Sequence, residues 1–272
     1  MEGKSENTVY NYELSINEYF KWYEEIYGMD FKKIFRSNVM EYKSYLLNVK
    51  KHRGRNLNGK TVNSKLSSIR SFNKYLIRVG IQEDLAINYN DFIKIQASYY
   101  NPSIVDKKQV EEFRQKILLA GDKRLFAIVT LLAYTGLRIS EALILKLVDV
   151  DLETKELIVR NGKGEKQRNV YINSKIVEAI RDYLKNKTTK SEYLFTSKNG
   201  KKIDRTTINK NFNHYSDIIT PHVLRHYFCS LALESGFGIH EVGQIAGHSN
   251  YRTTQTYLNP SKSLIKSKME EL

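Results

Sequence analysis

Arg138 is the first residue of this 272-residue sequence whose type and setting suggest chemistry. It stands in an apolar stretch, Leu125–Leu145, where the only other charged residue is Glu141. Stripping water from a guanidinium costs several kcal/mol, so such an arginine needs a partner. Two interpretations stay open. Arg138 pairs with Glu141 three residues along one helix face, or it follows the break at Thr135-Gly136 and points into an anion site.

A second group of candidate residues lies in the segment Pro221-His-Val-Leu-Arg-His226. His222 and Arg225 are three residues apart, so a helix presents both on one face. His222 and His226 could begin a zinc site, but Arg225 would place a cation beside the metal, so no metal is predicted. Cys229 could pair with a histidine as a nucleophile, yet its apolar neighbours favour core packing. An arginine and a histidine facing a phosphate fit the net charge of +14 better.

His248 and Tyr257 form the third group of candidates. His248 follows Gly247, where a helix is predicted to end, so its ring is easily exposed. Tyr257 comes nine residues later and is one of 19 tyrosines, so its type alone says little. Tyr251, three residues after His248, is its rival as a nucleophile.

Taken in order, these residues resemble the tyrosine recombinase family, which is phage-integrase-like and Xer-like. The resemblance covers the whole second half of the chain, and the first half looks like the family's core-binding domain. Ala246 stands where the family more often has leucine, a departure that concerns packing rather than chemistry. The motifs that carry the resemblance are Thr135-Gly-Leu-Arg-Ile-Ser-Glu141, Gly162-Lys-Gly164, His222-Val-Leu-Arg-His226, Gly247-His248 and Tyr257.

The resemblance implies an enzyme, a site-specific DNA strand transferase with chemistry like that of type IB topoisomerases. Tyr257 would attack a phosphodiester and form a 3′-phosphotyrosyl link that stores the bond energy for rejoining. Arg138 and Arg225 would clamp the non-bridging oxygens, a task that suits the rigid guanidinium fork. Lys163 would protonate the leaving 5′ oxygen, with Lys166 as the alternative.

The remaining roles are supporting ones. His222 would assist proton transfer at Tyr257, and His248 would hydrogen-bond a phosphoryl oxygen. Glu141 is expected to support the site through a structural hydrogen bond or ion pair. The family chemistry needs no cofactor, neither metal nor nucleotide, and the sequence contains no P-loop or carboxylate cluster of the kind that would hold one.

The positive charge is concentrated rather than spread. Residues 31–80 carry thirteen basic side chains and one acidic side chain, a net charge of +12. Such clustering is typical of nucleic-acid binding, although a solvated surface, RNA or a membrane surface could use the same charge. The predicted DNA-binding residues are Lys51, Arg53, Arg55, Lys65, Arg70, Lys74, Lys166 and Arg168.

The elements that position these residues form a mainly α, two-domain protein. Residues 1–97 are predicted to be a small helical-bundle core-binding domain that clamps DNA, 98–105 a linker, and 106–272 a helical catalytic domain with a small antiparallel β-sheet. The predicted elements are an amphipathic helix Val62–Leu76 after a loop His52–Lys60, strands Glu156–Arg160 and Arg168–Ile172 with a third around Val148–Leu152, and helices starting at Asp106, Asn173 and Thr220-Pro221.

The expected partner is a double-stranded DNA target site, bound by a homotetramer in the synaptic complex. An apolar stripe on a C-terminal helix would dock on a neighbouring protomer or, alternatively, on its own domain; its members are Leu264, Ile265, Met269 and Leu272. The longest uncharged apolar run, Leu125–Leu137, is too short to span a bilayer, and the opening residues contain no secretory segment. A single cysteine excludes a disulfide framework, so we expect a cytoplasmic protein without a membrane partner.

The biological outcome stays open at this level. Integration, excision and resolution of a mobile element or replicon all use this chemistry, with or without accessory proteins. The alternative from a different class is a non-catalytic, sequence-specific DNA-binding regulator on the same scaffold. Such a regulator would be expected to lose Tyr257, an arginine or Lys163, and all are present.

Overall fold

The computed structural model describes residues 6–28, 31–52, 54–95, 105–160, 167–247 and 270. The chain divides into two compact units, an amino-terminal unit (Met1–Ala97) and a carboxyl-terminal unit (Ser98–Leu272). Within the described ranges, no helix combines the length and apolar character that crossing a bilayer requires. The described residues are mostly helical, with two small antiparallel sheets, which confirms the predicted fold class.

The amino-terminal unit is a helical bundle with one short hairpin. The buried side chains of the third helix include Val62, Leu66 and Ile69, which confirms the helix predicted from their spacing. The expected loop His52–Lys60 differs in part, because it forms the second half of the hairpin and then the Asn58 cap of that helix. The elements are α1 (Glu6–Tyr27), α2 (Arg36–Asn48), β1 (Lys51–His52), β2 (Arg55–Asn56), α3 (Gly59–Arg78) and a 3-10 turn (Tyr89–Asp91).

Aromatic rings fill the core of this unit. Tyr19 stacks on Trp22 with ring centroids 5.9 Å apart and meets Tyr42 edge-on at 5.1 Å. Phe20 and Phe31 extend the cluster at a centroid distance of 4.6 Å. Rings of this size bury much apolar area, so a small bundle gains a core from few residues.

The carboxyl-terminal unit surrounds one helix, α5, that is buried on almost every side. Leu125 to Ala133 contribute mostly aliphatic side chains to its core. A helix that is apolar all round belongs inside a domain, and α4, α7 and α9 pack against it. The helices are α4 (Lys107–Leu119), α5 (Lys123–Thr135), α6 (Ile139–Ile144), α7 (Ser174–Lys185), α8 (Arg205–Tyr215), α9 (Pro221–Glu234) and α10 (Ile239–Ala246).

A three-stranded antiparallel sheet in the order β3-β4-β5 completes this unit. The strands are β3 (Val150–Asp151), β4 (Glu156–Val159) and β5 (Arg168–Tyr171), as the sequence predicted. Val159 pairs with Arg168 at one end of the β4–β5 ladder. In the sequence, residues 160–167 connect these two strand ends, and 161–166 lie outside the described ranges.

Side-chain caps start three helices where the sequence predicted them. Asp106 accepts a hydrogen bond from the Gln109 amide at 2.7 Å, and Asn173 accepts one from the Ile176 amide at 3.1 Å. Thr220 accepts one from the Val223 amide at 3.2 Å, with proline at the first position of α9.

Candidate active site

Gly136 makes the turn between α5 and α6. Its φ is +62°, and a Cβ placed there would lie 2.3 Å from the Phe228 ring. Glycine therefore meets two demands, a left-handed backbone and room for a ring from α9. The turn also exposes the Gly136 carbonyl, which accepts a hydrogen bond from Arg225 Nη1 at 2.7 Å.

Arg225 is a buried arginine whose residue is only 6% exposed. It lies one turn into α9, and its bond to the Gly136 carbonyl fixes it against the α5–α6 turn. A guanidinium held in this way has lost its freedom before any ligand arrives. Preorganised donors of this kind are what stabilise developing charge on a phosphoryl group.

Arg138 stands at the cap position just before α6. Its Nη1 donates to Glu141 Oε1 at 2.9 Å, and its own amide donates to Glu141 Oε2 at 2.8 Å. Its side chain keeps 34% of its surface exposed and lines a cleft. The ion pair with Glu141 is therefore present, and the anion-site interpretation stays a prediction that the position of Arg138 on the cleft supports.

Glu141 is the buried carboxylate behind Arg138, with its side chain 3% exposed. Arg168 supplies two further hydrogen bonds, from Nη1 to Oε1 at 3.1 Å and from Nη2 to Oε2 at 2.9 Å. Burial favours the neutral carboxyl, but the bonds and charge of Arg168, then those of Arg138, outweigh it and hold the pKa of Glu141 below its usual range. Glu141 is therefore ionised at neutral pH and supports the site structurally.

Arg168 is the clearest departure from the predicted DNA contacts. Its side chain is 11% exposed, and besides Glu141 it bonds the Ile245 and Ala246 carbonyls at 3.1 and 3.4 Å. A guanidinium whose donors are committed inside the protein is not available as a surface phosphate contact. The sequence suggested otherwise because Arg168 stands in a basic run.

Two predicted DNA-binding residues of the amino-terminal unit are likewise engaged inside their own unit. Lys65 pairs with Glu18 at 2.5 Å and has a side chain 17% exposed. Arg70 donates through Nε to the Ile87 carbonyl at 3.2 Å and lies over the Tyr89 ring at 4.2 Å. Their contacts with DNA stay predictions.

Three other predicted DNA-binding residues of this unit, Lys51, Arg55 and Lys74, are exposed. Lys51 and Arg55 belong to the β1–β2 hairpin and line a cleft of about 760 Å³. This surface remains available to a polyanion.

A cleft of about 570 Å³ in the carboxyl-terminal unit brings three of the six catalytic candidates together. Arg138, His222 and Arg225 line it together. One face of α8 adds three polar side chains that were not among the predicted catalytic residues, and their spacing of four residues was the signal that could have revealed them: Arg205, Asn209 and Asn213.

The two histidines of α9 contact each other. His222 Nε2 and His226 Nε2 are 2.8 Å apart, so one donates and the other accepts. Partial burial, then the charges of Arg225 and Arg205, lower the pKa of His222. Burial, then His222 and Arg225, lowers the pKa of His226 to about 4. Both rings are neutral at pH 7, so His222 can exchange a proton rather than only carry charge.

Other chemistries find less support among the described residues. Cys229 is fully buried, and burial raises the pKa of its thiol to about 11, so it is a poor nucleophile. Within the ranges that the structure describes, no cluster of three or more His, Cys, Asp or Glu side chains could hold a metal ion. Proton transfer and phosphate binding are what this cleft can do.

Several predicted site residues lie outside the described residues. Lys163 and Lys166 belong to the β4–β5 connection, Arg53 to the β1–β2 turn, and the predicted C-terminal helix to the end of the chain. His248 follows the last described residue of α10's cap, and Tyr257 comes nine positions later. Their roles stay predictions.

Sequence profiles of two related domains match this chain. The profile described as the Phage integrase family matches residues 103–263, and that of the Phage integrase, N-terminal SAM-like domain matches residues 1–80. The two matches fall in the carboxyl-terminal and amino-terminal units, respectively.

Individual proteins give the same picture. The chain is 49% identical to the TnP I resolvase of Bacillus thuringiensis over 276 aligned residues, covering 100% of this chain and 95% of that protein. It is 30% identical to the tyrosine recombinase XerA of Pyrococcus furiosus, covering 99% and 89%. The structure of the Tn1549 transposon integrase in complex with a circular intermediate DNA has the same fold, with a TM-score of 0.72 at 22% identity, covering 99% and 95%.

Proposed function

Because this chain belongs to the phage integrase family of tyrosine recombinases, which are site-specific DNA recombinases, we propose that its cleft binds one scissile phosphate of duplex DNA. The observation that carries the proposal is the convergence of Arg138, Arg225 and His222 on one cleft. Two guanidiniums suit the two non-bridging oxygens of a phosphodiester, and a neutral histidine suits proton transfer beside them.

In the proposed reaction, Tyr257 is the nucleophile. Its phenolic oxygen attacks phosphorus, the bond from phosphorus to the 5′ oxygen breaks, and a 3′-phosphotyrosyl link forms. Lys163 gives a proton to the departing 5′ oxygen, while His222 takes part in removing the tyrosine proton. His248 donates a hydrogen bond to the phosphoryl group. Rejoining reverses these steps when a 5′ hydroxyl attacks the phosphotyrosine, so neither an oxidant nor a nucleotide is consumed.

The amino-terminal unit is proposed to hold the DNA. The exposed Lys51, Arg55 and Lys74 support this role. Arg53, which lies between Lys51 and Arg55 in the sequence, carries a further positive charge. We further propose a homotetramer in the synaptic complex, with the C-terminal helix of each protomer docked on its neighbour. The 49% identity to a protein named a resolvase favours resolution as the outcome.

Covalent capture tests the proposal. DNA that becomes linked to the protein in the cell is recovered and its attached nucleotide is mapped, and that site is then built into a nicked duplex from which the cut strand diffuses away. The full chain should form a protease-sensitive protein–DNA adduct. Tyr257→Phe should abolish the adduct and keep DNA binding, whereas Tyr251→Phe, the matched control, should keep both.

Each outcome bears on one part of the proposal. An adduct that survives Tyr257→Phe would mean that another residue is the nucleophile. Tight DNA binding by the unaltered chain with no adduct at any site would favour the non-catalytic regulator. Strong inhibition by EDTA would point to a metal-dependent mechanism instead.

A further inference from the structure

Arg168 lies behind the phosphate-binding face of the cleft rather than on it. It is the first residue of β5, and its guanidinium reaches Glu141 on α6 and the final carbonyls of α10. One side chain thus joins three elements that are distant in sequence. Each of these elements is near a proposed catalytic position in the sequence, because α6 follows Arg138, β5 follows Lys163 and α10 precedes His248.

We propose that Arg168 is a positioning residue of the recombination reaction, which orients Arg138 through Glu141 and fixes the end of α10 from which the chain enters His248. This inference rests on the proposed function of the cleft. It assigns Arg168 no contact with DNA.

Hydrogen-bond geometry is the first argument. The Nε, Nη1 and Nη2 atoms of Arg168 all donate, and together they reach both oxygens of Glu141 and the carbonyls of Ile245 and Ala246. Only a planar fork with five N–H groups can serve a carboxylate and a helix end at once. A lysine would keep the charge and lose most of this arrangement.

Charge balance is the second argument. Two guanidiniums share the single carboxylate of Glu141, so the group of Arg138, Glu141 and Arg168 keeps one excess positive charge. Arg168 is the more buried partner, at 11% side-chain exposure against 34% for Arg138. Arg168 therefore neutralises much of the carboxylate charge from the buried side, and the group keeps its net positive charge next to the cleft that Arg138 lines.

The hydrogen bonds at the end of α10 also support the proposal. The last carbonyls of a helix have no partner within it and carry the negative end of its dipole. Arg168 donates to two of them, and Arg138 Nη2 donates to the next, at Gly247. Both arginines therefore hold the backbone that immediately precedes His248.

Gly247 shows how closely Arg168 is seated against this backbone. Its φ is +70°, and a Cβ there would lie 2.6 Å from Arg168 Cζ and 2.7 Å from Nη1. Any side chain at position 247 would push the guanidinium out of place. Gly247→Ala therefore perturbs Arg168 without changing a charge.

The test compares Arg168→Lys with Arg114→Lys in the full chain, on the nicked duplex that carries the mapped cleavage site. Arg114 is the matched control, because its side chain is 7% exposed and pairs with Glu111 at 2.5 Å, but it does not line the cleft. Both variants should be less heat-stable. Only Arg168→Lys should slow single-turnover adduct formation at saturating DNA, by roughly 10- to 100-fold per folded molecule, as misplacement of a catalytic group does.

DNA affinity separates positioning from contact. The dissociation constant of Arg168→Lys should stay close to that of the unaltered chain. A parallel loss of affinity would make Arg168 a DNA contact and overturn the proposal. A cleavage rate equal to that of Arg114→Lys would reduce Arg168 to a stabilising residue, which also overturns it.

Gly247→Ala keeps the proposal testable even if Arg168→Lys does not fold. It should slow cleavage without weakening DNA binding. In the Arg168→Lys background its effect should shrink, because lysine has no atom where the alanine Cβ collides. If the rate losses of Gly247→Ala and Arg168→Lys simply multiply in the double variant, the proposed coupling between these two residues is refuted. If the unaltered chain forms no adduct, the proposed function fails, and this result is distinct from a failure of the proposal about Arg168.

Discussion

The two units of this protein hold their positive charge in different ways. In the amino-terminal unit, Lys51 and Arg55 are exposed on a hairpin, outside a core of stacked rings. In the carboxyl-terminal unit, Arg225 is buried and Arg168 is nearly so, and each is bonded to backbone or carboxylate. The first arrangement leaves cations mobile and hydrated, and the second fixes them in direction.

The difference teaches which electrostatic interactions depend on geometry. Exposed cations act on a polyanion through counterion release, so their effects are screened by salt and are roughly additive. Buried guanidiniums act through a few short hydrogen bonds, and removal of one partner destabilises the fold because it leaves an uncompensated buried charge. Substituting one of these charged residues should therefore have a far larger effect in the carboxyl-terminal unit, where the guanidiniums are buried, than in the amino-terminal unit, where the cations are exposed.

The largest expected effect on stability comes from Glu141→Gln. The amide would leave the largely buried guanidinium of Arg168 and the partly exposed guanidinium of Arg138 without a countercharge, so we expect a loss of about 3 kcal/mol in the free energy of unfolding. Glu153→Gln is the control, because Glu153 pairs with Arg181 at a side-chain exposure of 85% and should cost at most about 1 kcal/mol. Urea titrations followed by circular dichroism measure both.

The optical probes can assign this loss to one unit. Trp22 is the only tryptophan of the chain and lies in the amino-terminal core, so its fluorescence reports that unit. Glu141→Gln should shift the helical circular dichroism transition and leave the fluorescence transition in place. An equal shift of both signals would show that the two units unfold together and would weaken the contrast.

The carboxylate of Glu141 also predicts how the free energy of unfolding depends on pH in the acid range. The pKa of Glu141 lies below its ordinary value of 4.5, so the unfolded chain takes up the proton first as the pH falls. The stabilising effect of Glu141 is thus complete above pH 4.5 and is lost below it. The gap between Glu141→Gln and the unaltered chain should narrow over that acid range.

Neutralising the hairpin should have an intermediate effect. Replacing Lys51, Arg53 and Arg55 by glutamine should weaken binding to all DNA sequences alike and lower the slope of log affinity against log salt by about 1 for each lost phosphate contact. Fluorescence anisotropy with several duplexes over a range of salt concentrations gives the slope. A loss confined to one sequence would indicate base reading instead.

The smallest expected effect comes from Tyr19→Phe, and its sign is opposite. Tyr19 is fully buried and its hydroxyl has no hydrogen-bond partner among the residues that the structure describes, so removing this hydroxyl should raise the free energy of unfolding by about 1 kcal/mol. The comparison is Tyr134→Phe in the other unit, where the hydroxyl donates to Glu111 and its loss should destabilise. Tyr19 stacks on Trp22, so the fluorescence transition is the direct measurement.

Local signals made much of the fold predictable. Thr220-Pro221 and Asp106 mark helix starts because capping depends on residues within one turn, and Gly247 marks a helix end because its backbone is left-handed. The pairing of Arg138 with Glu141 was also visible, because three residues along a helix is a short distance.

The remaining features depend on long-range packing. Arg168 binds Glu141 across 27 positions and Ile245 across 77, and a basic run in the sequence gives no hint of either partner. Asn209 and Asn213 have ordinary surface residue types. Their spacing puts them on one helix face with Arg205, but only the structure shows that this face lines the cleft. The resemblance to a family predicted the reacting groups, while the contacts that Arg168 makes with Glu141 and the end of α10 required coordinates.

The close fit of Gly136 against α9 has a consequence for how this protein can vary. Arg225 bonds the Gly136 carbonyl and Phe228, one turn later, covers its α-carbon, so a single helical turn holds this glycine from two sides. A methyl group at position 136 would displace α9 and with it an arginine 89 positions away. A scan of all substitutions in the carboxyl-terminal unit should therefore find that most substitutions of Gly136 abolish function, although this residue contributes no side chain to the cleft.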